Sequence, residues 1–194
     1  EEVLLVDCDL RKPKLHRLCG VANRIGFTNV ATGTKALEEC YQETKLPGLR
    51  VLTSGPIPPN PFKMLNSKSG RALIQQLSRE ADFVVIDTPP SLMLADAHIV
   101  ATMADAVILV ISSQDARKRE ITRTRDLLIQ TGSELLGTVL TKVKGGLGGY
   151  SDYYQHKSYS GYLDSVNHHD EGDEEPTAAL VAMERAEPEN GRQV

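Results

Sequence analysis

Two short aliphatic runs that each end in an acid constrain this chain more than anything else in it. Val3-Leu4-Leu5-Val6 leads into Asp7-Cys8-Asp9-Leu10-Arg11, and Phe83-Val84-Val85-Ile86 leads into Asp87-Thr88-Pro89-Pro90. An apolar run without polar alternation fits a parallel strand buried on both faces. Ligands of open α/β sheets gather beyond the carboxyl ends of such strands. Asp7, Asp9 and Asp87 therefore fall where phosphate and magnesium chemistry is done, with Arg11 close enough to steady a phosphate or to pair Asp9. Each acid taken singly also suits a plain turn after a strand, because Asp bonds its own local backbone. The pattern occurring twice weakens that reading. Pro89 and Pro90 hold φ near one value and donate no hydrogen bond, so the exit beside Asp87 is stiff.

Between and after these runs, strand and helix signals alternate. Lys12 to Cys19 and Thr28 to Ala31 read as short helical pieces, Lys35 to Gln42 as a helix, and Leu49 to Thr53 as a strand. Gly55-Pro56-Ile57-Pro58-Pro59-Asn60-Pro61 is too rich in proline for a helix or a central strand. Lys68 to Glu80 is an amphipathic helix with Leu73, Ile74 and Leu77 on one face. Ala95 to Met103 reads as a helix, Ala106 to Ile111 as a buried strand, Lys118 to Gln130 as a long helix and Leu135 to Val143 as the last strand. The alternation predicts an α/β fold, a mostly parallel sheet with helices on both faces. Arg117, Lys118, Arg119, Arg123 and Arg125 make the long helix basic, which serves either as a docking face or as an ordinary solvated surface.

A chain of 194 residues has room for one sizeable core and a tail. The longest apolar stretches are too short to span a bilayer. Cys8, Cys19 and Cys40 are odd in number and lack metal-site spacing, which supports neither a disulfide framework nor a zinc site and suits a reducing cytoplasm. Cys8 faces away from its flanking acids by strand alternation and reads as a small buried filler. The net charge of -4 is unevenly divided: residues 164–194 carry nine acids and two arginines, leaving 20 bases against 17 acids elsewhere. A weakly basic body with an acidic tail suits a nucleotide binder better than a nucleic-acid binder. The chain begins with Glu, two residues before a buried-type strand, and contains no G-x-x-x-x-G-K-[ST] run. The expectation is a core truncated at its amino terminus, with a strand, a phosphate loop and a helix within about fifty residues upstream.

Beyond Lys144 the composition turns to Gly, Tyr, Ser, His and acids. Tyr150, Tyr153, Tyr154, Tyr159 and Tyr162 are five of the six tyrosines. With no aliphatic partner before Leu163, their rings have no core of their own, and the segment is expected to be mobile. It reads as a sticky linker, as a stacking platform for single-stranded nucleic acid, or as a set of modification sites; the acidic stretch after it disfavours nucleic acid. The organisation expected is a core over 1–145, a tyrosine-rich tail over 146–163 and an acidic, disordered tail over 164–194.

Taken together, VLLVDCDLRKP, FVVIDTPP, GPIPPNP and the tyrosine cluster resemble the bacterial tyrosine kinases of capsule and exopolysaccharide biosynthesis, the BY-kinases. The first motif is similar to their Walker A′ and the second to their Walker B; both are shared with the wider deviant-Walker ATPases, and the other two are more specific. The resemblance covers roughly residues 1 to 163. It implies a P-loop NTPase-like fold and a phosphotransferase that uses ATP and Mg²⁺. Asp7 and Asp9 would position metal and accept the phenol proton, and Asp87 would support the Mg²⁺ water shell. Arg11 would steady the loop or a phosphate, and Thr141 would stand beside adenine. The implied acceptors are Tyr150, Tyr153, Tyr154, Tyr159 and Tyr162 of a neighbouring copy in a ring-like homo-oligomer. The implied partner is a membrane chain-length (polysaccharide co-polymerase) domain or protein, and the implied location is the cytoplasmic face of the membrane. Lacking a phosphate loop, the chain alone is expected to be inactive.

Three departures from the family pattern stand out. Thr141 replaces the usual Asn, Lys63 replaces a common acid after PPNP, and the acidic tail is unusually long. Rival readings are a partitioning or septum-positioning ATPase of the same fold, which would carry a basic amphipathic helix in place of the tyrosines if it bound membrane, and a non-catalytic regulatory partner.

Overall fold

The computed structural model describes residues 1–143, which form two compact units, 1–89 and 90–143. The expected boundary at 145 and the two tail segments, 146–163 and 164–194, lie outside the described residues.

The first unit is built on a four-stranded sheet. β1 (Val3–Asp7), β3 (Leu49–Leu52) and β4 (Phe83–Asp87) run parallel, with β1 in the middle of the three. β2 (Tyr41–Glu43) adds an antiparallel edge, giving the order β2-β3-β1-β4. The aliphatic runs become the core: Leu4 and Val6 of β1 and Val51 and Leu52 of β3 are fully buried, together with Phe27, Leu65 and Leu77 from the helices. Those helices are α1 (Leu15–Cys19), α2 (Phe27–Ala31), α3 (Pro61–Leu65) and α4 (Lys68–Leu77). In α4, Ser67 caps the first turn by accepting from the Gly70 N–H at 3.0 Å, and Leu73, Ile74 and Leu77 form the buried stripe.

Two local expectations are corrected here. Lys35 to Gln42 is not a helix. A single 3-10 turn over Leu37–Glu39 is followed by strand β2. Glu39 folds back onto the Ala36 N–H at 2.9 Å and takes Lys35 Nζ at 2.8 Å, closing the turn, while Tyr41 stacks under the Arg50 guanidinium at 4.9 Å across the hairpin. Gly48, at φ +77°, supplies the left-handed residue that lets the chain reverse into β3. The proline-rich segment also ends in a helix after all. Asn60 caps α3 by accepting the Lys63 N–H at 2.9 Å, and Pro61 occupies the first helical position, where its missing donor costs nothing.

The second unit contains α5 (Asp96–Ala101), β5 (Ala106–Ser112), α6 (Lys118–Gln130) and β6 (Glu134–Thr141). β5 and β6 pair in parallel, as a β-α-β unit through α6 requires, with an irregularity between Val107 and Ile108. Gly132 at φ +79° turns the chain from α6 into β6, and Ser133 donates its hydroxyl to the Ala101 carbonyl at 2.6 Å. The strands are thus mostly parallel, as the alternation predicts, but they fall into a four-stranded and a two-stranded sheet. Phe83 and Val85 on β4 and Ile108 and Val110 on β5 remain exposed. No helix among the described residues is long and apolar enough to cross a membrane.

Candidate active site

The carboxyl end of β1 delivers Asp7 directly opposite Asp87 of β4, the two being register partners in the parallel ladder. The Cys8 N–H donates to the Asp87 carbonyl at 2.9 Å, which fixes the chain where it leaves β1. Just past the strand it doubles back on itself. The Asp9 N–H donates to Asp7 Oδ1 at 3.1 Å, and the Arg11 and Lys12 N–H groups donate to Asp9 Oδ1 at 3.2 and 3.0 Å. These are the local backbone bonds by which Asp builds a turn after a strand. The Leu15 N–H, at the start of α1, donates to Asp7 Oδ2 at 3.2 Å. Asp7 is wholly buried and Asp9 nearly so, while Asp87 stands on the open side.

The neighbouring acids act on Asp7 and Asp87. Burial, followed by the charges of Asp87 and Asp9, pushes the Asp7 carboxyl up to about 7 against the pull of the Leu15 and Asp9 N–H groups. Asp87 is also raised, first by burial and then by Asp9. A carboxyl titrating near neutrality is the property expected of a group that takes and returns a proton. Burial, with the charges of Asp7 and Asp87, raises the Cys8 thiol far above its ordinary value, which keeps it protonated.

The geometry suits a hydrated divalent cation better than one gripped directly. Among the described residues no group of three or more His, Cys, Asp or Glu side chains is arranged to chelate a metal. Both oxygens of Asp7 and one of Asp9 are already engaged by backbone donors. Mg²⁺ keeps several of its waters when bound, and the carboxylates gathered at the two strand ends would receive those waters. The residues therefore fit Mg²⁺ in that outer mode.

Arg11 is half-buried in the same turn, so four of the expected residues come together in the first unit. Thr141 belongs to the second unit, at the end of β6, where its hydroxyl donates to the Ile111 carbonyl at 3.3 Å. Tyr150, Tyr153, Tyr154, Tyr159 and Tyr162 lie outside the described residues. Lys63 is exposed on α3.

Sequence reasoning missed the backbone donors of Lys12 and Leu15 and a lock behind the proline-rich loop. In that lock Asn23 accepts the Gly55 N–H at 2.8 Å and bonds Ser54, while the Phe27 and Thr28 N–H groups donate to the Thr53 and Ser54 carbonyls. Gly26 has no room for a side chain: a Cβ there would lie 2.0 Å from the Thr53 oxygen. The signal was present as Asn23-Arg24-Ile25-Gly26 and Thr53-Ser54-Gly55, but nothing in either segment says that the two meet.

A mostly parallel sheet with paired acids at its strand ends defines a P-loop NTPase-like protein, and a likeness to the cell division ATPase MinD of Pyrococcus furiosus shows the same fold (TM-score 0.63, 23% identity, 74% of this chain and 60% of the other). No protein-family model matches the chain. Among curated proteins it is 39% identical over 153 residues to the tyrosine-protein kinase YwqD of Bacillus subtilis (strain 168), covering 79% of this chain and 64% of that protein. To the tyrosine-protein kinase CpsD of Streptococcus agalactiae it is 31% identical over 153 residues, covering 78% and 67%. The crystal structure of the VpsO kinase domain matches with a TM-score of 0.70 at 36% identity, covering 74% of this chain and 71% of that one. The chain belongs to the family of bacterial tyrosine-protein kinases. It spans under two thirds of the length of YwqD, at 64%.

Proposed function

We propose that the intact protein is a protein-tyrosine kinase that moves the γ-phosphoryl group of Mg²⁺-bound ATP to tyrosines of its own kind, with Tyr150, Tyr153, Tyr154, Tyr159 and Tyr162 as acceptors on a neighbouring copy. The observation that carries this reading is the meeting of Asp7, Asp9 and Asp87 at two adjacent strand ends, with Asp7 held near neutrality. The names of the relatives support it, and the tyrosine cluster supplies a substrate on the same chain.

Phosphoryl transfer asks a protein chiefly for alignment and charge stabilisation. Asp87, the outward acid, is suited to hold the waters of Mg²⁺, with Asp9 beside it. Asp7, sealed behind them, sets the negative field of the site, and Asp7 and Asp9 are the candidates for positioning the metal and accepting the phenol proton. Arg11 is suited to steady the turn or a phosphate, and Thr141 to stand near the base. Phosphates gathered on five tyrosines repel each other, which favours release of the tail and opening of a ring-like homo-oligomer.

On the same reading the kinase works at the cytoplasmic face of the membrane with a chain-length partner, in capsule or exopolysaccharide export. Phosphotyrosine mapping by mass spectrometry on the intact protein after incubation with Mg²⁺ and ATP tests the proposal. Label within Tyr150 to Tyr162 is expected; label only elsewhere, or none, contradicts it.

A further inference from the structure

Helix α6 carries more positive charge than its own fold consumes. Its buried side is marked by Thr124 and Leu128. At 3.6 residues per turn, Lys118, Arg119, Thr122 and Arg123 lie on the opposite side, and all four are exposed. Arg125 is paired with Asp126 at 2.7 Å, and the Arg117 N–H is taken by Glu120 at 3.0 Å. The side chains of Lys118, Arg119 and Arg123 have no hydrogen-bond or ion-pair partner among the described residues. They border one open groove with Thr122, Leu127, Gln130 and Asp126, the acid that Arg125 pairs. Arg119 and Arg123 are four apart, a like-charge spacing that weakens a helix unless an anion lies between them.

The chain itself contains the complement. Asp170-Glu171-Gly172-Asp173-Glu174-Glu175 places five acids in six residues. We infer that segment 170–175 docks on the Lys118, Arg119 and Arg123 face of α6 in the same copy, as an acidic strap. Charge complementarity carries the assignment, and covalent reach permits it. The 26 residues 144–169 that lead to the strap can span up to about 90 Å, against a length of about 20 Å for α6. A docked strap ties Tyr150 to Tyr162 into a loop held at both ends, which shortens their reach toward another copy; that consequence alone rests on the kinase reading.

Zero-length carbodiimide cross-linking of the 194-residue chain, followed by peptide mass spectrometry, tests the docking without ATP or activity. Amide links from Lys118 Nζ to carboxylates of 170–175 are expected at about 0.05 M salt and should fall at least fivefold at about 1 M, where the Debye length is about 3 Å. The pair Arg119→Glu and Arg123→Glu should lower them as strongly. Adding Glu174→Arg and Glu175→Arg to that pair should restore the links from Lys118 to Asp170 and Glu171. Mixing ¹⁵N-labelled and unlabelled chains should give links within single copies. Links absent at low salt, links indifferent to both salt and the arginine reversals, or links running mainly between copies would each overturn the inference.

Discussion

Asp7 and Asp87 sit side by side as register partners at the ends of two parallel strands, and the negative charge of Asp87 is among the causes that lift the Asp7 carboxyl to about 7. Parallel pairing makes this unavoidable. Two strands that run the same way and stay in register bring their carboxyl ends to one edge, so whatever ends each strand must share a small volume. Acids in that position disfavour each other's charge unless something positive arrives.

The cost should be visible as a pH-dependent stability. Asp7 is raised in the folded chain from the ordinary 3.8 to about 7. A group raised in this way gives its full contribution below pH about 4, and that contribution is lost as pH rises through about 7. Asp7→Asn mimics the protonated form and does not titrate. Calorimetry should show the melting temperature of Asp7→Asn gaining on that of the native chain by more than about 2 °C between pH 5 and pH 8.5. A constant difference across that range would contradict the shift.

Metal dependence should separate Asp87 from the buried acids. If Asp87 holds the water shell of Mg²⁺, Asp87→Asn in the intact kinase should raise the Mg²⁺ concentration for half-maximal activity by about 10- to 100-fold. An unchanged Mg²⁺ titration would remove Asp87 from that role.

Gly26 should tolerate no side chain. A Cβ at that position would come within 2.0 Å of the Thr53 oxygen and 2.6 Å of the Gly55 nitrogen, both backbone atoms that cannot swing away. Gly26→Ala is expected to cost about 2–4 kcal/mol in urea denaturation. Gly20→Ala, where nothing lies within 4 Å and only the positive φ of 67° is strained, should cost about 1 kcal/mol.

Thr141 offers the site a single hydroxyl, and that hydroxyl already donates to Ile111. Thr141→Asn replaces the hydroxyl with an amide whose carbonyl accepts while its NH₂ offers two donors. If this position reads the adenine edge, the KM for ATP in the intact kinase should fall by about threefold to tenfold, the worth of one hydrogen bond. No change, or a rise, would place base recognition elsewhere.

How much of this was legible depended on how local the deciding physics is. The strand ends were readable because an apolar run and the acid that ends it are contiguous; β1 and β4 each extend one residue beyond the aliphatic run to include the Asp itself. Helix α6 runs over the expected Lys118–Gln130 because its periodicity and its stop at Gly132 are both local. The stretch around Tyr41 was misread because what makes it a strand is β3 across the hairpin, which no helical periodicity count registers. The helix at Pro61 was hidden by the prolines before it, although Asn60 followed by Pro61 is itself a start signal. In the candidate site, the three acids were singled out from composition and place. The N–H donors of Lys12 and Leu15 were not, because any residue can offer a backbone N–H and only the fold decides where it points.

The central claim is that Asp7, Asp9 and Asp87 work as one phosphotransfer site. It is tested most directly by measuring ³²P transfer from γ-labelled ATP to tyrosine in the intact kinase carrying Asp7→Asn, Asp9→Asn or Asp87→Asn, with Asp82→Asn as a control on an exposed acid that accepts the Glu2 N–H at 2.8 Å. Each of the three site variants should lose at least about 100-fold in rate, and the control should stay within about twofold of the parent. Retention of near-parental transfer by all three site variants would contradict the account.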